Sequence, residues 1–216
     1  MDHRATQEDG LIVGVLLAAG RGARFDASGT TSKLLAAAPG GGGTAAGTPV
    51  ALSAALALRS ITPRVVAVVR PADSPAQQAL HALLRDAGCE LAINPRADDG
   101  IGSSIAAGVA ASPDAAGWLI ALADMPAIAP ATMAAVRDAL RDAPATAPRH
   151  RGQRGHPVGF TAALRDDLLA LSGDEGARSV LQRHPPRLID VDDPGCLLDL
   201  DTPADFAAAR VRQPDC

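Results

Sequence analysis

The stretch LIVGVLLAAGRGARF (residues 11–25) decides the fold class. Its first eight residues form a continuous apolar run, which is typical of a strand that is buried on both faces. Gly20 and Gly22 then allow a tight turn in which successive backbone N–H groups can face phosphate oxygens. Arg24 adds a guanidinium suited to phosphate. The stretch therefore predicts the first unit of a parallel α/β sheet, with an anion site at the carboxyl end of its strand.

The glycine pattern narrows the kind of anion site. The pattern is G-x-G-x-R, and Phe25 stands where a dinucleotide-binding fingerprint has its third glycine. The turn also lacks the G-K-[ST] sequence of a P-loop. A glycine-rich turn after a strand is equally typical of a purely structural turn, so both interpretations stay open at this point.

Strands and helices alternate along the chain. Apolar runs predict strands at residues 64–69, 89–94 and 117–123, and helical spacing or a proline start predicts helices at 49–59, 74–87, 103–111 and 130–141. The second half is less regular, with two short strands within 145–160, helices at 161–171, 175–183 and 203–212, and a strand at 187–191. This alternation predicts an α/β protein, a three-layer α/β/α, Rossmann-like fold with a mostly parallel central sheet.

Composition limits the partners and the compartment. The chain of 216 residues has a formal net charge of −4, one tryptophan, three phenylalanines and no tyrosine, which disfavours a nucleic-acid binder. Three cysteines without a C-x-x-C pair support neither a disulfide framework nor a zinc site. The N-terminus carries acids instead of the basic start of a signal peptide, and the longest apolar run is about half of a membrane span. We expect a soluble, cytoplasmic protein with no nucleic-acid or membrane partner.

The domain organisation is expected to be simple. No internal repeat or shift in composition marks a boundary, so residues 1–216 are predicted to form one domain with flexible tails at 1–10 and 213–216. The stretch PGGGGTAAGTP (residues 39–49) predicts a mobile surface loop, and an insertion without function is its simplest interpretation.

Two charged residues lie where ligand chemistry is expected. Lys33, in TSKLL, is either a solvated charge that opens a helix or a second phosphate cation beside Arg24. Asp124, in LADMP, closes the predicted strand 117–123, at the edge where open α/β sheets bind ligands. Its carboxylate could hold a Mg²⁺ ion that bridges phosphates, or it could cap the next helix.

The segment DLDTPADF (residues 199–206) offers further carboxylates. Asp201 or Thr202 could be the N-cap of the last helix, because a Thr-Pro pair starts it. Asp201 could instead supply a second carboxylate to the metal of Asp124, with Asp199 as the alternative ligand. The Thr-Pro start directly after Asp201 favours Asp201.

Polar, glycine-rich loops supply additional binding groups. In NPRADDGIGSSIAAG (residues 94–108), the glycines and Ser103 and Ser104 could contact a base or a sugar, or they could equally be loop and cap residues. RGQRGHPVGF (residues 151–160) and SGDEGARSVL (residues 172–181) place cationic or titratable groups in or beside glycine-rich turns, at Arg151, Arg154, His156 and Arg178. Such groups suit an anionic co-substrate, although isolated surface arginines are common.

Six motifs in one order resemble a single family: LLAAGRGARF with KLL, NP with GIGSSIAAG, LADMP, RGHPVGF, SGDEGAR and DLDTPADF. The series is similar to the molybdenum-cofactor nucleotidyltransferases of the sugar-nucleotidyltransferase-like fold, and it covers residues 11–210. The A-A-G sequence of residues 18–20 resembles the cytidylyltransferase branch, because the guanylyltransferase branch usually has A-G-G there.

The resemblance implies transfer of CMP from CTP to the terminal phosphate of molybdopterin, with release of pyrophosphate, Mg²⁺ as cofactor and a molybdenum hydroxylase as recipient of the product. It implies nucleotide contacts at Leu17, Ala18, Ala19, Gly20, Gly22, Arg24, Lys33, Gly100, Ser104 and Asp124. Arg24, Lys33 and Asp124 are the implied catalytic groups, and Asp124 and Asp201 are the implied metal ligands. The acceptor side is implied to be lined by His156, Asp174 and Arg178.

Two other functions fit parts of the pattern. A non-catalytic maturation chaperone for a molybdenum hydroxylase would hold cofactor without nucleotide transfer, but the combination of Arg24, Asp124 and Asp201 favours catalysis. An NAD(P)H-dependent oxidoreductase is disfavoured by the missing third glycine and by Arg70, which replaces the usual acid after the second strand. Arg70 could still accept a 2′-phosphate.

Overall fold

A computed structural model describes residues 10–22, 24–26, 31–40 and 42–211, without the side chains of residues 210 and 211. The tails expected at residues 1–10 and 213–216 lie outside this part of the chain, apart from Gly10. None of the described helices is both long enough and apolar enough to cross a bilayer.

An eight-stranded sheet forms the centre of the described chain. Its strands are β1 (Ile12–Leu17), β2 (Val65–Val69), β3 (Glu90–Ile93), β4 (Gly117–Leu122), β5 (Ala145–His150), β6 (Gln153–Arg154), β7 (Val158–Thr161) and β8 (Arg187–Asp190). The order is β3-β2-β1-β4-β7-β5-β6, and β8 pairs with β5. Strands β3, β2, β1 and β4 are parallel, β7 and β6 pair antiparallel with their neighbours, and β8 is parallel to β5. The carboxyl ends of β1 to β4 therefore share one edge of the sheet.

Helices cover both faces of the sheet. They are α1 (Val50–Arg59), α2 (Pro75–Asp86), α3 (Ile101–Ala110), α4 (Pro130–Asp138), α5 (Arg165–Leu169), α6 (Arg178–Arg183) and α7 (Pro203–Val211). One core contains buried residues of α1, α2, α4 and α7, and the other contains buried residues of α3, α5 and α6. The predicted three-layer α/β/α fold with a mostly parallel sheet is confirmed.

Strand β1 shows why its apolar run is continuous. Leu16 packs in one core, whereas Val13, Val15 and Leu17 pack in the other, because successive side chains of a strand point to opposite faces. A Cβ atom on Gly108 of α3 would lie 2.4 Å from Cγ1 of Val15, so the missing side chain allows α3 to pack closely on β1. These contacts fix the carboxyl end of β1 and the turn that follows it.

The second half of the chain departs from the predicted boundaries. The helix predicted at 161–171 begins only after β7, as a 3-10 turn over Ala162–Leu164 followed by α5. The helix predicted at 175–183 begins at Arg178, because Gly173 and Gly176 have φ of 71° and 56°, which an α-helix does not contain.

Three further predictions were wrong in detail. The two strands expected within 145–160 are three, since a turn with φ of 48° at Arg151 and 83° at Gly152 separates β5 from β6. The helix predicted at 130–141 ends as an α-helix at Asp138 and finishes as a 3-10 turn over Ala139–Arg141. Lys33 begins a 3-10 turn, Lys33–Leu35, and no α-helix follows it directly.

The described part of the glycine-rich stretch 39–49 is held by hydrogen bonds and by a close contact at Gly42. The Thr48 carbonyl accepts a hydrogen bond from the Ala38 N–H at 2.8 Å, and the Ala38 carbonyl accepts one from the Gly47 N–H at 3.0 Å. A Cβ on Gly42 would lie 2.4 Å from the Pro126 carbonyl oxygen. This loop therefore packs against the turn that follows Asp124.

Candidate functional site

A cavity of about 420 Å³ opens at the carboxyl ends of the parallel strands. Strand β1 and its glycine turn form its centre, the end of β4 forms one side, and residues that follow β2 and β3 form the other. Its lining includes Leu17, Ala18, Ala19, Gly20, Arg21, Gly22, Arg24, Lys33, Arg70, Asp98, Gly100, Ser104, Asp124, Asp174 and Asp201. Every residue implied to bind nucleotide or metal thus lies on one surface.

The glycine turn after β1 has free space above it. A Cβ added to Gly20 would meet no atom within 4 Å, because this residue lines the cavity. Gly22 has φ of 65°, and its carbonyl accepts a hydrogen bond from the Phe25 N–H at 2.9 Å. Phe25 packs on Phe206 with ring centroids 5.3 Å apart, which anchors the end of the turn to α7. Because Gly20 has no side chain, the turn exposes its backbone to any ligand in the cavity.

Lys33 joins the two carboxylates that follow β4 and precede α7. Its Nζ donates to Asp124 Oδ2 at 2.6 Å and to Asp201 Oδ1 at 2.5 Å. Only 7% of Lys33 is exposed. Burial by itself would lower the pKa of Lys33, but the charges of Asp124 and Asp201 outweigh it and hold this pKa above its usual value. The ammonium is therefore charged and lies between two carboxylates.

Arg24 contacts one of these two carboxylates, Asp201, from solvent. Its guanidinium lies 2.8 Å from Asp201 Oδ2, and 76% of its side chain is exposed. Asp201 is thus shared between one buried and one exposed cation. Both cations that the sequence predicted for phosphate binding are held by the carboxylates predicted for metal binding.

Asp124 is not the N-cap of the following helix. The N-terminus of α4 is capped by Asp193, whose Oδ2 accepts hydrogen bonds from Ala129 N at 2.9 Å and from Thr132 Oγ1 at 2.7 Å. The capping interpretation is therefore wrong, and the Asp124 carboxylate faces Lys33.

Asp201 is likewise free of capping. At the start of α7, Thr202 is the N-cap, because its Oγ1 accepts a hydrogen bond from the Asp205 N–H at 3.3 Å, and Asp205 Oδ2 accepts one from the Thr202 N–H at 2.7 Å. Asp199 is not among the residues that line the cavity. Burial raises the pKa of Asp199, and repulsion by Asp201 and Asp124 raises it further. Of the two candidates, Asp201 is the carboxylate that lies against Lys33.

The far side of the cavity is built around Asp98, which the sequence did not single out as a ligand, and Arg70, which it considered only for a 2′-phosphate. Asp98 accepts hydrogen bonds from Arg21 Nε at 2.8 Å and Arg21 Nη2 at 2.5 Å, and it pairs with Arg70. Arg70 Nε also donates to the Ala19 carbonyl at 2.8 Å. The two arginines hold the pKa of Asp98 below its usual range. Asp98 follows β3, so its position after a strand of a parallel sheet was the signal that could have identified it, as the same position after β2 identified Arg70.

The pairing of Arg70 bears on the oxidoreductase alternative. A 2′-phosphate acceptor needs a cation whose charge is available to a dianion. The Arg70 guanidinium is instead paired with the Asp98 carboxylate, which would repel a phosphate. A 2′-phosphate would therefore have to compete with Asp98 for this guanidinium.

Gly100 has a structural reason to be glycine. It has φ of 100°, and a Cβ there would lie 2.2 Å from the Gly173 carbonyl carbon and 2.5 Å from Asp174 Oδ1. The Gly102 N–H donates to the Gly173 carbonyl at 2.9 Å. The loop before α3 therefore touches the loop before α6, and this contact joins the first cavity to a second one.

A second cavity of about 390 Å³ adjoins the first and shares Leu17, Ile101, Leu122 and Asp174 with it. Its lining contains the three residues predicted for the acceptor, His156, Asp174 and Arg178, together with Arg154 and apolar side chains of the sheet and of α3. The structure therefore brings the predicted acceptor residues together beside the predicted nucleotide residues.

His156 lies in this second cavity as a neutral ring. Burial lowers its pKa to about 4, and the Arg154 guanidinium adds to this effect, while Asp124 opposes it. Its Nδ1 atom is buried and has no hydrogen-bond partner among the described residues. A buried nitrogen without a partner in a cavity wall is a group that a ligand can satisfy.

A family comparison matches the region that contains both cavities. The sequence profile of the MobA-like NTP transferase domain matches residues 14–188, well over half of the chain. The chain belongs to this family. Membership in the MobA-like NTP transferases confirms the resemblance to molybdenum-cofactor nucleotidyltransferases that the six motifs indicated, and nucleotidyl transfer is the chemistry of the family.

Solved structures of similar fold agree with this assignment. Rv0371c from Mycobacterium tuberculosis H37Rv has 26% identity and a TM-score of 0.75, over 94% of this chain and 98% of that one. Its complex with manganese has 25% identity and a TM-score of 0.73, over 94% and 100%. The molybdopterin-guanine dinucleotide biosynthesis protein A of Archaeoglobus fulgidus has 17% identity and a TM-score of 0.63, over 93% and 98%, and shows the fold alone. No curated protein matches at a significant level.

Proposed function

We propose that this MobA-like NTP transferase transfers CMP from CTP to the terminal phosphate of a molybdopterin and releases pyrophosphate, with Mg²⁺ as cofactor. The observation that carries the proposal is the contact of Lys33 with Asp124 and Asp201 beside the glycine turn, in a cavity that adjoins the second one. This arrangement offers cations and carboxylates to one bound triphosphate, next to space for a second substrate.

The triphosphate is assigned to the glycine turn and its cations. Backbone N–H groups near Gly20 and Gly22 can approach phosphate oxygens because Gly20 places no side chain in the cavity. Arg24 supplies a fork of donors from solvent, and Lys33 supplies a compact positive charge from the interior. Nucleotidyl transfer needs mainly positioning and charge neutralisation, so these groups are sufficient without a side-chain nucleophile.

The donor set fits a divalent cation. The Lys33 ammonium already sits between the Asp124 and Asp201 carboxylates, so the structure contains a position for positive charge between two oxygen ligands. The described residues contain no cluster of three or more histidine, cysteine or acidic side chains suited to a metal, and Mg²⁺ typically takes one or two carboxylates plus phosphate oxygens and water. Asp124 and Asp201 would hold it. When bound, Mg²⁺ supplies charge neutralisation at the phosphates.

The second cavity is assigned to the molybdopterin. Its walls combine apolar side chains with His156, Arg178 and Arg154, which suits a flat heterocycle with an attached phosphate. An oxygen of the acceptor phosphate forms the new bond to the α-phosphorus of CTP, and the bond from this phosphorus to the β-phosphate oxygen breaks. The attacking oxygen is already anionic, so no general base is assigned.

The relatives support parts of this proposal. Rv0371c has been solved as a manganese complex, and a structure of the same fold is that of a molybdopterin-guanine dinucleotide biosynthesis protein. The choice of CTP rests on the A-A-G sequence of residues 18–20. We also propose that a molybdenum hydroxylase receives the product. We further propose that residues 1–216 form one domain.

The test is a turnover assay with α-labelled CTP, molybdopterin and Mg²⁺, in which both pyrophosphate and the labelled dinucleotide are measured. Asp124→Asn should lose turnover by about 100-fold or more because its charge is removed from the site, with near-ultraviolet circular dichroism of the buried Trp118 unchanged. Asp86→Asn, an exposed substitution on α2, is the matched control and should keep full activity.

Three results would contradict the proposal. Transfer from GTP in preference to CTP would overturn the base assignment. Binding of CTP and molybdopterin without pyrophosphate release would favour the chaperone. Oxidation of NADPH with no response to any nucleoside triphosphate would favour the oxidoreductase.

A further inference from the structure

One short segment contacts parts of both cavities. It comprises residues 193–201, between β8 and α7, and we call it the linking segment. Its first residue, Asp193, caps α4, the helix that follows the turn after Asp124. Its last residue, Asp201, contacts Lys33. The linking segment therefore begins beside the helix that follows one proposed metal ligand and ends at the other.

A main-chain contact fixes the end of the linking segment beside Asp124. The Leu200 N–H donates to the Asp124 carbonyl at 2.9 Å, and only 1% of Leu200 is exposed. Asp201 follows Leu200 directly, so this hydrogen bond limits how far the two carboxylates around Lys33 can move apart. The relative position of Asp124 and Asp201 is therefore set partly by the backbone of the linking segment.

The middle of the linking segment holds the histidine of the second cavity. The His156 N–H donates to the Cys196 carbonyl at 2.9 Å. No hydrogen bond from the described residues reaches Nδ1 of the His156 ring. The direction of this ring therefore depends on packing and on the position of its backbone, which the contact with Cys196 fixes.

Gly155 lets the backbone before His156 approach the linking segment. A Cβ at Gly155 would lie 2.3 Å from the Cys196 carbonyl oxygen, 2.9 Å from its carbonyl carbon and 2.8 Å from its Sγ. The first two are backbone atoms, so a side-chain rotation cannot relieve the contact. Gly155 is also held by β5, because its N–H donates to the Pro148 carbonyl at 2.9 Å. The missing side chain therefore allows Gly155 to bond to β5 and to pack on the linking segment at the same time.

We infer that Gly155 is a positioning residue for the proposed nucleotidyl transfer, which acts through the linking segment to fix His156 relative to Asp201. This inference rests on the proposed function. A side chain at residue 155 would force the His156 backbone and the linking segment apart, whereas the Leu200 hydrogen bond keeps Asp201 in its place. The acceptor would then lie at an altered distance from the bound triphosphate. A misplacement of about 1 Å can cost about 100-fold in rate, because the attacking oxygen must be aligned with the reacting phosphorus.

The experiment compares Gly155→Ala with the wild type, on the full chain, by turnover with CTP, molybdopterin and Mg²⁺ and by calorimetric titration of CTP with Mg²⁺. The kcat should fall by a factor of about 10 to 100, because the acceptor is misplaced. The dissociation constant of CTP should stay within about twofold, because the glycine turn and Lys33 are unchanged. The number of CTP sites per chain should also stay unchanged. A merely structural defect would instead lower kcat and the number of CTP sites in the same proportion.

Gly152→Ala is the matched control in the same hairpin. A Cβ there meets no atom within 4 Å, but φ is 83°, so alanine is strained without touching the linking segment. The midpoint of thermal unfolding should fall by about 2–4 °C, while kcat stays within about twofold.

A spectroscopic measurement reports the geometry without turnover. Mn²⁺ bound together with CTP speeds the nuclear relaxation of nearby protons, and the effect falls steeply with distance. The His156 ring protons, assigned by their loss in His156→Gln, should relax at a different rate in Gly155→Ala than in the wild type. In Gly152→Ala they should relax as in the wild type. Such a change would report a displacement between the metal carboxylates and the acceptor wall.

Gly195→Ala decides the question if Gly155→Ala does not fold. A Cβ at Gly195 would lie 2.2 Å from the Ala127 carbonyl oxygen, in the turn after Asp124, so alanine displaces the linking segment at a second point. Its kcat should fall by about tenfold or more, with the number of CTP sites per chain unchanged.

The outcomes separate this inference from the proposed function. Unchanged kcat in Gly155→Ala, unchanged relaxation of His156, or parallel losses of kcat and CTP sites would each overturn the inference while nucleotidyl transfer itself stands. A wild-type protein that binds no nucleoside triphosphate, or that binds CTP and releases no pyrophosphate, would overturn the proposed function and the inference with it.

Discussion

Lys33 Nζ lies 2.6 Å from Asp124 Oδ2, across 91 residues of sequence, and the same nitrogen lies 2.5 Å from Asp201 Oδ1. The contact joins the turn after β1 to the ends of β4 and of the segment before α7. A buried cation on two carboxylates is stable only while all three partners are present, because any one of them alone would be an uncompensated charge. In the protein without ligands, the cations proposed to bind phosphate therefore neutralise the carboxylates proposed to bind metal.

Replacement of Lys33 by methionine should strengthen metal binding in the absence of nucleotide. Without the ammonium, Asp124 and Asp201 repel each other, so Mn²⁺ should bind to the free protein about tenfold or more tightly, by the Coulomb energy of one removed charge. Turnover should fall, because a triphosphate loses its interior cation. Isothermal titration calorimetry or electron paramagnetic resonance of Mn²⁺ measures the first effect.

Arg24→Met is the control for that experiment. Arg24 contacts Asp201 as well, but most of its side chain is in water, where the charge is screened. We expect its effect on Mn²⁺ affinity to be smaller than that of Lys33→Met. Unchanged or weaker Mn²⁺ binding in Lys33→Met would show that the ammonium does not compete for the position between the carboxylates.

Gly20→Ala should separate ligand binding from stability. A Cβ at this position meets no atom within 4 Å, and the backbone of Gly20 is not in the left-handed region, so the midpoint of thermal unfolding should not change. The added methyl projects into the cavity and should weaken CTP by about tenfold or more, since backbone N–H groups could no longer approach the phosphates closely. Calorimetric titration measures the affinity for CTP, and a thermal melt measures the midpoint of unfolding.

Gly22→Ala is the contrasting variant. Gly22 has φ of 65°, so alanine should cost about 1 kcal/mol of stability. Loss of stability in Gly20→Ala, or undiminished CTP affinity with an unchanged fold, would argue against the assignment of the triphosphate to this turn.

The strands and their ends were the predictable part of this protein. The apolar runs of β1, β2 and β4 are continuous because each strand is buried on both faces, and a run of this kind is visible in one sequence. The end of a parallel strand is also where a ligand is expected, which is why the sequence alone indicates Asp124 as a candidate ligand.

The contacts between distant segments were not predictable. Spacing along the chain does not show that Lys33 meets both Asp124 and Asp201, or that Asp193 caps α4 and leaves Asp124 free. The orientation of the Asn94 amide, which accepts from the Arg96 N–H and donates to Ser104, is likewise defined only by hydrogen bonds in the folded protein. The shortened α6 follows from backbone angles at two glycines, and such angles are chosen by packing against other loops.

Gly100→Ala should destabilise the junction of the two cavities. A Cβ would lie 2.2 Å from the backbone of Gly173, and φ of 100° is strained for any side chain, so the free energy of unfolding should fall by about 2 kcal/mol or more. Gly173→Ala is the matched control, because a Cβ there meets no atom within 4 Å although φ is 71°, and it should cost about half as much. Denaturant titration followed by fluorescence of Trp118, the one tryptophan of the chain, measures both. Equal losses of unfolding free energy in the two variants would show that the loop before α3 does not pack tightly on the loop before α6.

The buried ring of His156 should make stability depend on pH in the acidic range. Its pKa in the folded protein is about 4, below the ordinary value of 6.5, because burial disfavours the charged form. Between these two values the unfolded chain binds the proton and the folded chain does not, so the free energy of unfolding rises with pH and falls on acidification through this window. The contribution of this one group is at most about 3 kcal/mol.

His156→Gln should remove that part of the pH dependence, because glutamine is neutral throughout. Wild type and variant are therefore compared by denaturant titration at pH 4, 5, 6 and 7, with their difference expected to change most between pH 4 and 6.5. His156→Gln also removes a group assigned to the acceptor, so turnover should fall at pH 7 while nucleotide affinity holds. Parallel stability curves for the two proteins would show that the ring is accessible to water and protonates normally, which would contradict its assignment as a neutral group in the acceptor cavity.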